Sequence, residues 1–150
     1  MKPLHILLAE DNLADVRLTQ EALKNGHLDI CLHVVHNGED ALTYLSKEGK
    51  FSTAISPDVV ILDIHMPKKS GIDVLREMRE DRALKDIPVI MLTTSCHERD
   101  IKDTYEGNAN CYIVKPFDFT QFLTAIEIIV SIDISMNFRG VTEEINDKTA

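Results

Sequence analysis

Cysteine is scarce: there are three, at positions 31, 96 and 111, odd in number, widely spaced and without a C-x-x-C pair. That spacing argues against a disulfide framework and leaves no paired-thiol zinc or redox motif; the three read as reduced, buried apolar residues of a cytosolic protein. Basic residues are also few, 16 Lys and Arg against 25 Asp and Glu, for a net charge of −9. A broad nucleic-acid surface, held mainly through Lys and Arg, does not fit that balance, and any phosphate chemistry needs a cation to neutralise the site. Long apolar runs are missing too. The amino-terminal MKPLHILLAED meets acid after a short apolar run, too short for a signal peptide, and no segment is long enough to enter or span a bilayer. Histidines stand at 5, 27, 33, 36, 65 and 97 with neither an H-E-x-x-H motif nor paired helical spacing, so they read as scattered strand or surface residues rather than transition-metal ligands. Internal repeats and low-complexity tracts are lacking.

What is present is a chain of 150 residues, 44% hydrophobic and 27% charged, enough for one domain with a two-face core. Short apolar runs alternate with amphipathic stretches. Leu4–Ala9, Ile30–Val35, residues 58–63, Val89–Thr94 and Cys111–Lys115 read as strands. Helices are expected at 14–24 behind an Asn12 cap, at 38–48, at 71–79, at 98–107 and from about 119 behind Asp118. A polar stretch, 46–57, precedes the third strand. Alternation of this kind predicts an α/β fold, a five-stranded parallel sheet with helices on both faces, open and doubly wound. From Val130 to Phe138 apolar residues recur at every second position, which suits either the frayed end of the last helix or an extra strand or dimer contact. The rest of the tail is polar.

Ligands of such sheets bind beyond the carboxyl ends of the strands. There the first strand delivers Glu10 and Asp11, the third Asp63, the fourth Thr93 and Thr94, and the fifth Lys115-Pro116. Clustered carboxylates need a counter-charge, and a hard divalent ion such as Mg2+ favours oxygen ligands completed by a phosphate. Asp63 is then a candidate nucleophile for a phosphoryl group, with the metal, the Lys115 ammonium and the Thr93 hydroxyl each facing one phosphoryl oxygen. Each piece alone has a plain structural explanation: a turn aspartate, a helix cap, a β-forming threonine, a surface lysine. Their joint occurrence at four strand ends carries the reading.

The segments LLAEDN (7–12), ILDIHMPKKSG (61–71), VIMLTT (89–94) and YIVKPF (112–117) resemble the receiver domain of two-component response regulators, over about residues 3–130. The resemblance implies a flavodoxin-like fold with strand order 2-1-3-4-5. It makes Asp63 the phosphoacceptor, and Glu10, Asp11, Asp63 and the backbone carbonyl of His65 the shell of Mg2+ or Mn2+. Thr93 and Tyr112 become the switch pair, and Lys115-Pro116 a cis peptide. EDNLADVRLTQEAL, VVHNGEDALTYL and LTTS…CYIVKPFD further resemble stand-alone receivers that partner phytochrome-like and other sensor histidine kinases, some of which form homodimers. A receiver over residues 1–131, a C-terminal extension over 132–150 and no output domain to bind DNA are expected. The implied function is a cytoplasmic phosphoacceptor that switches protein–protein contacts, catalysing only its own phosphorylation and dephosphorylation.

Three positions depart from the commoner pattern: Glu10 in place of Asp, His65 beside the acyl phosphate, and Thr94 after the switch threonine. The alternative is a Mg2+-dependent phosphatase or phosphotransferase with Asp63 as nucleophile, which would want a second acid two residues on, where His65 stands. Dinucleotide binding would want G-x-G-x-x-G after the first strand, where LAEDN stands. Lys68 and Lys69 read as a solvated turn.

Overall fold

The computed structural model describes residues 3–24, 28–93, 109, 111–115, 120 and 124–128, with Thr93, Cys111, Tyr112 and Val114 by backbone alone. The expected helix at 98–107, the Lys115-Pro116 peptide, the alternation after Val130 and the extension at 132–150 lie outside these residues. Two compact units divide the chain, Met1–Phe117 and Asp118–Ala150. In the second, residues 124–128 are helical.

The first unit is built on five strands, β1 (Leu4–Ala9), β2 (Ile30–Val35), β3 (Val59–Asp63), β4 (Val89–Thr93) and β5 (Cys111–Val114), in the order β2-β1-β3-β4-β5. All pairs are parallel. Helices α1 (Leu13–Lys24), α2 (Gly38–Leu45) and α3 (Gly71–Glu80) fill the crossovers. The central strands are continuous apolar runs because both their faces are covered; every residue of β3 is buried. Alternation divides the side chains between two layers. Leu7, Ala9, Val60, Leu62, Val89 and Met91 share a cluster with Ala41, Tyr44 and Leu45 of α2 and Val74, Leu75 and Met78 of α3. The strand partners of opposite parity, Ile6, Leu8, Val59, Ile61, Ile90 and Leu92, are equally buried on the other face, and α1 buries Val16, Ala22 and Leu23.

Local signals set the element ends. Asn12 caps α1 as expected, its Oδ1 accepting from Ala14 N at 2.9 Å and Asp15 N at 3.1 Å. Asn37 caps α2 and Ser70 caps α3 in the same way. Helix α2 stops at Leu45, short of the expected 48, because Lys47 takes a left-handed φ of 56°. A 3-10 turn, Gly49–Phe51, then occupies part of the polar stretch before β3. Cys31 corrects another expectation: it is exposed rather than buried, on the edge strand β2.

The loop from Ile64 to Ser70 is gripped from both sides. A Cβ on Gly71 would fall 2.2 Å from the Asp63 carbonyl oxygen, and one on Gly38 would fall 2.1 Å from that of Lys69. Both contacts are with backbone, which cannot swing aside. Gly71→Ala is therefore expected to cost about 3 kcal/mol, the upper end for an overpacked site, measured by denaturant unfolding. A loss below about 1 kcal/mol would show that the loop yields easily.

Candidate functional site

The carboxyl ends of β1, β3 and β5 bring four charged residues together. Glu10 follows β1 directly and continues the parity of Ile6 and Leu8, while Asp63 ends β3 on the parity of Val59 and Ile61, so both emerge on the α1 side of the sheet. Helix side chains tilt toward their own N-terminus. Asp15, in the first turn of α1, consequently reaches back over the strand ends. Lys115, just beyond β5, completes the group.

Its ammonium lies 2.6 Å from Glu10 Oε2, 2.8 Å from Asp15 Oδ2 and 3.2 Å from Asp63 Oδ2. The Lys115 side chain is only 7% exposed, Glu10 is fully buried and Asp63 is 5% exposed. Separating these charges would therefore leave ions stranded out of water. The other oxygens of Glu10 and Asp63 also have donors. Asn12 N donates to Glu10 Oε1 at 3.1 Å, and His65 N to Asp63 Oδ1 at 3.2 Å. The second bond curls the chain after β3, placing the His65 peptide beside the Asp63 carboxylate. Further along, Lys68 has φ 68° and Lys69 N donates to Pro67 O at 2.7 Å, a tight three-residue turn.

Burial, then the neighbouring Asp63, raises the Glu10 carboxyl from 4.5 to about 7, against the lowering pull of Lys115. For Lys115 burial works downward, and the carboxylates of Asp15, Glu10 and Asp63 outweigh it, so the amine stays protonated throughout the physiological range. Glu10, Asp11 and Asp63 each offer an oxygen within 4.8 Å of the others. Hard carboxylate donors close together, with one exposed to solvent at Asp11, suit a small divalent cation that retains waters.

The structure thus assembles Glu10, Asp11, Asp63 and Lys115 at one rim and brings the His65 backbone to it. Thr93 ends β4, pairing with Val114, and Tyr112 pairs with Met91, which fixes their backbones in the sheet; their side chains lie outside the described residues. Asp15 was missed in the sequence. Its signal was present, an acid three residues after the Asn12 cap, on the turn that overhangs the strand ends. Lys69 forms an ion pair with Glu77, so that part of the basic turn is engaged with α3.

This arrangement is a parallel α/β sheet with an acid cluster and a buried lysine at its carboxyl rim. Residues 6–127 match the response regulator receiver domain family. The chain is 38% identical to the response regulator Rcp1 of Synechocystis over 129 residues, 86% of this chain and 88% of Rcp1. It is similar to the phosphorylated cyanobacterial phytochrome response regulator RcpA, at 40% identity and a TM-score of 0.75 over 89% of this chain and 94% of that one. A bacteriophytochrome response regulator, RtBRR, matches at 41% identity and a TM-score of 0.77, covering 85% and 78% of the two chains. The Mn2+-bound form of Rcp1 matches at 37% identity and a TM-score of 0.75, covering 87% and 92%. The chain belongs to the response regulator receiver domain family, whose members accept a phosphoryl group on aspartate and switch their interactions. Among the described residues no helix is long and apolar enough to cross a membrane.

Metal binding and the Glu10 proton should be linked. Because the folded-state value of about 7 lies above the ordinary 4.5, the bound proton favours the metal-free folded protein below pH 4.5, and that contribution is lost as pH rises through 7. A cation must displace the same proton. Mg2+ affinity is therefore expected to rise about tenfold per pH unit below 7 and to level off above it, by calorimetric titration, with Glu10→Gln flattening the profile. A pH-independent affinity in the parent protein would contradict the linkage.

Proposed function

We propose that Asp63 is the phosphoacceptor of this receiver and that the phosphoimidazole of a sensor histidine kinase is its donor. A carboxylate oxygen of Asp63 attacks phosphorus in line; the new P–O bond forms as the donor's P–N bond breaks, and the departing imidazole nitrogen takes up a proton. The carrying observation is the burial of Asp63 at the end of β3, with the His65 N–H on one oxygen and the Lys115 ammonium 3.2 Å from the other.

Glu10, Asp11 and Asp63, with the His65 carbonyl, would hold Mg2+ or Mn2+, and the donor set fits such an ion. When bound, the ion supplies charge neutralisation at the phosphoryl oxygens. Lys115 exchanges part of its hold on Asp63 for a phosphoryl oxygen, while Asp15 and Glu10 keep its amine protonated and anchored. Thr93 takes the third oxygen through its hydroxyl, and Tyr112 follows it inward, carrying the change to the surface of β4 and β5. The same site hydrolyses the acyl phosphate, with no outside metabolite as substrate. The similarity to RcpA, a phytochrome response regulator, and RtBRR, a bacteriophytochrome response regulator, supports a phytochrome-like kinase as partner; the reading adds a cytoplasmic setting, with homodimerisation as one candidate for the switched contact.

With Mg2+, a small phosphoramidate or acyl phosphate donor is expected to add one phosphoryl group, read by intact mass, and Asp63→Asn to abolish it. Equal labelling of the variant would place the acceptor elsewhere. Removing Lys115 strands its acids: Lys115→Met is expected to lose about 3 kcal/mol of unfolding free energy, with Mg2+ restoring more stability to the variant than it adds to the parent. Unchanged unfolding, or an equal Mg2+ response in both, would show that the ammonium does not organise the rim.

A further inference from the structure

At the opposite end of the strands, and on the opposite face of the sheet, a second set of chemistry-bearing side chains converges. The β1–β2 register sets His5 beside Cys31 and Leu7 beside His33. Adjacent strands lie about 4.8 Å apart and alternate residues share a face. His5, Cys31 and His33 therefore project together, on the parity of Leu7. His5 Nδ1 and His33 Nε2 are 3.4 Å apart, and the three residues each offer a ligand atom within 4.8 Å of the others.

We propose that His5, Cys31 and His33 form a site for a borderline-soft transition-metal ion, with Zn2+ as its fitting occupant, independent of the phosphoryl-accepting rim. Two nitrogens bound to one tetrahedral zinc at 2.0–2.1 Å stand about 3.4 Å apart, which is the separation found. As a hydrogen bond that distance is long, beyond the usual upper limit near 3.2 Å. Imidazole and thiolate together select zinc over magnesium or calcium. Ring packing steadies the donors: His33 stands 5.7 Å from Tyr44, which in turn stands 5.3 Å from Phe51. The His5 and His33 rings lie 15° from parallel with centroids 5.6 Å apart, and so meet nitrogen to nitrogen rather than face to face. Exposed Cys31 provides the entry path, and three protein ligands leave a fourth position for water. Binding exchanges the Cys31 thiol proton for the ion, so one proton is released and no redox change occurs.

The test titrates the reduced full chain with Co2+ as a spectroscopic probe, in excess Mg2+ so that the carboxylate rim is already engaged, and then displaces it with Zn2+. Expected are a thiolate-to-cobalt charge-transfer band saturating at one equivalent, proton release, and loss of the band on adding Zn2+. Cys31→Ser should abolish the band and Cys96→Ser and Cys111→Ser should keep it. His5→Gln and His33→Gln should each weaken binding by more than about tenfold. Phosphoryl uptake from a small donor, unchanged in Cys31→Ser, verifies that the variant is folded. The proposal is overturned if the parent shows no band, if the band survives Cys31→Ser, or if both histidine variants bind as the parent does.

Discussion

One ammonium group holds the functional end of this protein together. Lys115 is bound by Glu10, Asp15 and Asp63, drawn from three separate stretches of chain, in a setting almost closed to water. Three carboxylates this near one another repel strongly where solvent cannot screen them. A single positive charge cannot neutralise all three. Burial first, and then the neighbouring Asp63, raises the Glu10 carboxyl to about 7, so that a proton there relieves part of the surplus. The site is thus charge-frustrated, and in the function proposed above that frustration favours a divalent cation.

The fold exists around that rim. Parallel strands point every carboxyl end the same way, and apolar runs in β1, β3 and β4 bury the sheet on both faces, leaving the chemistry to the positions just beyond the last apolar residue. Helix α1 contributes Asp15 because its Asn12 cap starts it directly over the strand ends. The loop after Asp63 keeps its path because Gly71 and Gly38 let backbone approach where any side chain would collide. Rigid placement of the reacting groups matters in phosphoryl transfer, where the protein's contribution is position and field rather than bond-making.

Much of this was legible in the residues themselves. VVILD announces a buried strand ending in an acid, LLAED does the same, and a parallel sheet brings the two ends together without further information. The helix cap at Asn12 is a local signal of one residue, while those at Asn37 and Ser70 emerge from the structure. What could not be read is what depends on register and exposure. The implied order 2-1-3-4-5 already put β2 at the edge, but the apolar run ICLHVV hides that Cys31 is exposed there. The meeting of His5 with His33 spans 28 positions and follows only from strand pairing, so no spacing rule reveals it. Asp15 belongs between these cases. Its position was readable, but its partner stands 100 residues away.

The two ends of the sheet therefore carry different chemistries, hard oxygen donors at one and imidazole with thiol at the other. The charge imbalance at the carboxyl rim is the central claim, and it is open to direct observation. Carboxyl 13C NMR of Glu10 across a pH titration, without and with saturating Mg2+, reads it residue by residue. The account predicts a midpoint near 7 in the metal-free protein and a marked fall once the cation is bound. A midpoint at the ordinary 4.5 under both conditions would contradict it.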